Sequence, residues 1–168
     1  TATFTPTASI TDTTNVITLL KTGVADTVGN AGVGSTSSNN YAIDTLAPTL
    51  SSSTPADNAT AVVVGNTIEL NFIETVTAGS GNFVINNGAG DTRTIPVGDA
   101  QVSISGSTVT INPTADLLAN SAYNIQMASG VLRDSAGNAY AGIANASTLN
   151  FFTPLFINLT DIAAGEGG

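Results

Sequence analysis

The 168 residues include no cysteine and no histidine. The first absence excludes a disulfide framework and any thiolate metal site. The second removes the side chain that most often moves protons near neutral pH. Tryptophan is also missing and aromatics make up 5% of the chain, so platforms for stacking bases or sugars are few. Cations are scarce: Lys21, Arg93 and Arg133 stand against 12 acidic residues, for a net charge of −9. Nucleic acid needs a basic patch, so no nucleic-acid partner is expected, and an anionic membrane surface is disfavoured for the same reason. No run approaches the ~20 consecutive apolar residues of a membrane-crossing helix, so no membrane insertion is expected. No basic segment opens the chain, and none of it reads as a signal peptide.

What is present points to β-structure. Hydrophobic residues make up 42% of the chain, enough to fill a core. Charged residues make up only 9%, against roughly 25% in an average globular protein. Thr, Ser, Asn and Gly must therefore cover the surface, and Thr suits an exposed pleated face. The length allows one complete domain and part of another. The chain reads as a piece of something longer, because Thr1 falls inside an apparent strand.

A stretch near the middle has an echo near the start. Thr110-Ile111-Asn112-Pro113-Thr114-Ala115, followed by Asp134-Ser135-Ala136-Gly137-Asn138-Ala139, matches Thr3-Phe4-Thr5-Pro6-Thr7-Ala8, followed by Asp26-Thr27-Val28-Gly29-Asn30-Ala31. The copies lie roughly 107 positions apart, a period that marks an array of small domains. Residues 1–45 read as the back half of a domain, with strands at Ala2–Thr5, Asn15–Leu20 and Tyr41–Ile43 and a turn over Asp26–Asn30. So few strands cannot bury both of their faces. The Asp44–Thr49 junction carries Pro48, which favours a short extended link.

Residues 46–153 read as one complete antiparallel β-sandwich, and residues 154–168 as a tail or the start of a further unit. Thr67–Phe72 alternates strictly, with Ile68, Leu70 and Phe72 inward. Asn82–Asn86 and Thr92–Val97 flank a Gly-rich turn, and Gln101–Ser105 and Thr108–Ile111 flank Gly106-Ser107. Val102, Ile104, Val109 and Ile111 share a face. Ala61–Val64, Ala122–Ala128 and Thr148–Phe152 complete the strands, and Asp116–Asn120 has room for one helical turn. The Leu118–Ile125 stretch has the form of a tyrosine corner, in which Tyr123 would bond upstream backbone. The alternative is that Tyr123 is simply a core aromatic. In the tail, Leu155-Phe156-Ile157-Asn158-Leu159 is an apolar strand-like run.

At these residues the sequence resembles tandem bacterial Ig-like domains. Thr54-Pro55-Ala56-Asp57-Asn58, Leu70–Val76, Ile111-Asn112-Pro113, Asp134–Ala139 and Phe151-Phe152-Thr153 resemble the SbsA-type Ig-like domain. Residues 1–45 are similar to the back half of a related module. Thr160–Gly165 resembles the lead-in to integrin-like repeats. The Ig-like resemblances cover about nine-tenths of the chain. They imply an all-β sandwich, a secreted or cell-surface location in a large protein or adhesin, and no catalytic residue.

The residues themselves agree that catalysis is not expected. Glu69 faces outward, most Asp residues sit in turns, and no Gly-rich loop leads from a strand into a helix. Calcium is the remaining chemistry, because Asp and Asn oxygens suit that ion. The candidate ligands are Asp26 with Asn30, Asp134 with Asn138, and the junction carboxylates Asp44 and Asp57 with Glu74. The competing reading is that Asp and Asn close turns by bonding their own backbone. Sequons at Asn58, Asn145 and Asn158 arise readily by chance in so Asn-rich a chain.

Three functions follow as expectations. One is a structural spacer stacked on neighbouring Ig-like domains. Another is a filament or surface-layer subunit in which identical chains complete one another by strand addition. The third is a module that binds a surface glycan or receptor through loops, with Tyr140 as the exposed aromatic.

Overall fold

Residues 3–155 are described by the computed structural model, which places strands wherever β-branched and alternating residues accumulate. The chain divides into two units, residues 1–46 and residues 47–168. No helix among the described residues is long and apolar enough to cross a membrane.

The first unit consists of two small ribbons. Strand β1 (Thr11–Asn15) pairs antiparallel with β4 (Tyr41–Asp44), and β2 (Thr18–Leu20) with β3 (Ser35–Ser37). A single 3-10 turn, Lys21–Gly23, follows β2. The expected strand at Ala2–Thr5 does not form in its described part: residues 3–10 are irregular and the first strand begins at Thr11. The expected continuous strand over Asn15–Leu20 is split between β1 and β2. None of the described residues of this unit is buried. Phe4, Leu20, Val28 and Val33 are largely exposed, Val33 at 83%.

The second unit is a sandwich of two four-stranded sheets. One has the order β10 (Val102–Ser105), β11 (Thr108–Ile111), β6 (Ile68–Phe72), β5 (Leu50–Thr54). The other has the order β14 (Asn150–Thr153), β12 (Ser121–Met127), β8 (Asn82–Asn86), β9 (Thr92–Pro96). Every pairing in both sheets is antiparallel. A short ribbon joins β7 (Val76–Ala78) to β13 (Leu132–Asp134).

Period-two patterning decides which side chains meet between the sheets. Leu70, Val109 and Ile111 face Phe83, Ile85, Tyr123, Ile125 and Phe151, all almost inaccessible. Burying each such side chain contributes about 1.5–3 kcal/mol, so this core dominates the stability of the unit. The β10–β11 hairpin turns through Gly106, whose φ of +59° is open to glycine at no steric cost.

Two expectations fail here. Ala61–Val64 is not a strand; Val62 is buried and its N–H bonds the Phe152 carbonyl, so the segment lies beside β14 without a ladder of its own. Asp116–Asn120 forms no helical turn. The apolar run beginning at Leu155 lies, beyond that residue, outside the described residues.

Candidate functional site

The repeated Asp-x-x-Gly-Asn loops adopt the same closure in both units. Asp26 N–H donates to the Asn30 carbonyl at 3.0 Å, and Asp134 N–H to the Asn138 carbonyl at 3.1 Å. Each Asp then receives its Asn twice. Asn30 N–H donates to Asp26 Oδ1 at 2.9 Å and its side-chain amide to Oδ2 at 2.9 Å. Asn138 does the same to Asp134, at 2.7 Å in both cases. Gly29 and Gly137 N–H close onto the Asp carbonyls. Asp26 adds Val28 N–H at 3.0 Å. The Asn30 amide, followed by these backbone donors, holds the Asp26 carboxyl below the usual carboxylate range. Asp26 lies on the surface, whereas Asp134 is 3% exposed.

The other calcium candidates are placed as follows. Asp44 Oδ1 accepts Thr11 Oγ1 at 2.9 Å and Leu46 N–H at 3.1 Å. Asp57 Oδ1 accepts both the backbone N–H and the side-chain amide of Asn150, at 3.0 and 3.1 Å, which ties the loop after β5 to β14. Asp57 Oδ2 accepts the Asn58 amide at 2.7 Å. Glu74, in the loop after β6, presents a carboxylate oxygen within 4.8 Å of one from Asp134.

The densest polar network involves residues that spacing alone does not single out. The Arg93 guanidinium forks onto Asp91, Nε to Oδ1 at 3.2 Å and Nη2 to Oδ2 at 3.0 Å. The same head donates to the Ala115 and Asp116 carbonyls, fastening β9 to the loop after β11. Tyr123, 1% exposed, donates to Asp91 Oδ2 at 2.5 Å and accepts Leu118 N–H at 2.9 Å. The tyrosine corner therefore forms, with Asp91 as an additional anchor. Arg93 holds the Asp91 carboxyl below its ordinary range, and burial followed by Asp91 pushes the Tyr123 phenol up. The signal in the sequence was the scarcity of cations: an Arg two residues from an Asp, in a chain with three cations.

Tyr140 is not the exposed aromatic that the sequence suggests. It is 8% exposed and packs edge-on against Phe72, with ring centroids 5.1 Å apart. The loop that carries it folds back: Gly130 N–H reaches the Tyr140 carbonyl and Tyr140 N–H the Leu132 carbonyl. In these clusters the polar side chains close turns or tie elements together.

Comparison with known proteins agrees with this geometry. A family model described as bacterial Ig-like domain matches residues 44–153. Another, also described as bacterial Ig-like domain, matches residues 1–43. No curated protein matches the chain. With an antiparallel sandwich, a tyrosine corner and the same loop closure in both units, the chain belongs to the bacterial Ig-like domain family and carries two such domains in tandem.

Proposed function

We propose that the chain is a structural spacer of a large extracellular bacterial surface protein or adhesin. Bacterial Ig-like domains usually occur in extracellular or surface proteins and are generally non-catalytic. The observation that carries the proposal is the direction of the chain through the second unit. Leu50, where β5 begins, lies opposite Phe72. Phe72 packs on Tyr140, whose carbonyl holds Gly130, just past the Met127 end of β12. Thr153, where β14 ends, lies opposite Ser121 at the other end of β12. The chain thus enters this sandwich at one pole and leaves at the other.

Tension applied through the chain then runs along β5 and β14. Ladder hydrogen bonds stand perpendicular to their strands, so such a load shears several bonds together rather than peeling them singly. Pulling single molecules by their ends tests the proposal. The expected trace has a force peak followed by release of about 35 nm, the contour of the sandwich from Leu50 to Thr153 at ~3.4 Å per residue. Extension of those residues with no force peak would reject it.

A second reading rests on the first unit. Its ribbons have two strands each and many of its apolar side chains, Val16, Leu19, Leu20 and Val24 among them, are exposed, a marginal arrangement in isolation. Strands from an identical chain would cover those residues and propagate a filament. Electron microscopy decides: fibres support this reading, and monomers alone at high concentration end it.

A further inference from the structure

The outer face of the β14–β12–β8–β9 sheet carries rows of amides and hydroxyls. Asn150, Asn124, Asn86 and Thr92 lie in register across all four strands, and Gln126, Val84 and Thr94 form the next row. None of these side chains is charged, in a chain of net charge −9. Beyond the second row the Ile143 segment bridges to Met127. There the surface sinks into a groove of about 430 Å3 lined by Asn82, Val84, Gln126, Ser129, Ala141 and Ala144. That volume lies within the range of small-ligand sites. At the opposite end of the face the half-buried Phe152 stands beside the exposed Ala122. From Phe152 to the Gln126 row is four residues of strand, about 13 Å.

We propose that this face binds an uncharged oligosaccharide. An amide donates and accepts at once, as a sugar hydroxyl does. Asn86 Oδ1 accepts Gly88 N–H, and the Asn124 and Gln126 amide groups donate to the Asn86 and Ala144 carbonyls, so the Asn86 amide group, Asn124 Oδ1, Gln126 Oε1 and the Asn82 side chain are the groups that match a ligand covered in hydroxyls. Val84, Ala141, Ala144 and the Phe152 ring supply the apolar surface on which the C–H faces of sugar rings rest. An anionic ligand meets no cation on the face and is repelled by the protein's net charge. β8 and β12 are paired on either side, so a peptide strand adding to this sheet would join at β9 or β14, and neither of those edge strands lines the groove.

The test is an NMR titration of the isotope-labelled full chain. The probes are cellulose-, laminarin- and starch-type glucose hexamers, with mannan- and galactan-type hexamers. At least one probe is expected to shift the amide signals of Val84, Asn86, Gln126 and Ala144 saturably, at concentrations up to about 10 mM. Val84→Glu and Gln126→Ala each weaken that binding tenfold or more, while distant signals stay in place. No shift with any probe overturns the proposal, as do shifts confined to other surfaces or binding that Val84→Glu leaves intact. Concentration-dependent broadening of these signals without sugar assigns the face to self-association and also overturns it. A spacer resists tension whether or not sugar binds, so failure here leaves the mechanical reading standing.

Discussion

Tyr123 gives its phenolic hydrogen to Asp91 Oδ2 across 2.5 Å and takes one from Leu118 N–H. One hydroxyl thereby joins β12, the start of β9 and the loop between β11 and β12. Tyr123→Phe keeps the ring against Phe151 but leaves a backbone N–H and a carboxylate oxygen short of a partner. The expected loss is about 1.5–3 kcal/mol in urea unfolding of the second unit. A loss below about 0.5 kcal/mol would show that the corner does not hold the loop.

The same network sets the pH dependence. Arg93 depresses the Asp91 carboxyl in the folded state, so its stabilisation is complete above the unfolded carboxyl value of about 3.9. It is lost as pH falls through the folded value. Tyr123 is shifted up, so its contribution holds below about pH 10 and is lost as pH rises through its folded value. Unfolding free energy against pH should fall on both limbs. Asp91→Asn should flatten the acid limb, and an unchanged acid slope would remove Asp91 from the account.

The paired loops should respond unequally. Asp134 is buried, and Asp134→Ala removes both hydrogen bonds that its carboxylate accepts from Asn138. A cost of about 1–3 kcal/mol is expected. Asp26 is exposed, and Asp26→Ala should instead speed hydrogen exchange at Val28 and Asn30 while the melting of the second unit stays put. Equal effects of the two changes on that melting would contradict the separation.

Gly142 has a φ of +88°, and a Cβ there would sit 2.5 Å from the Met127 carbonyl oxygen. That carbonyl accepts Ile143 N–H at 2.9 Å. Gly142→Ala should cost about 2–4 kcal/mol in thermal or urea unfolding, through backbone strain and overpacking. A neutral result would mean that the 141–144 segment is free to move off β12.

Legibility of the sequence tracked burial. Residues in β6, β11 and β12 alternate because one face of each is sealed in the core, so period two placed them within a residue or two. Strand β5 escaped notice because Leu50-Ser51-Ser52-Ser53-Thr54 has no apolar alternation: it is an edge held by its pairing with β6. The β7–β13 ribbon is three residues long on each side, too short for a period to show. In the first unit an apolar run over Asn15–Leu20 suggested a strand, but with no core to face it breaks in two. The Asp–Asn loops were visible as a spacing, while the Asp91–Arg93–Tyr123 cluster depends on contacts 32 positions apart that only the fold brings together.

The central claim is that the second unit bears load lengthwise. The absence of cysteine allows unique handles to be introduced for pulling. Thr49→Cys with Pro154→Cys loads the sandwich from pole to pole. Thr49→Cys with Ile73→Cys takes hold of neighbours, since Ile73 N–H bonds the Thr49 carbonyl, and peels β5 from β6. The account predicts a clearly higher rupture force for the first pair than for the second; equal forces, or a weaker first pair, would contradict it.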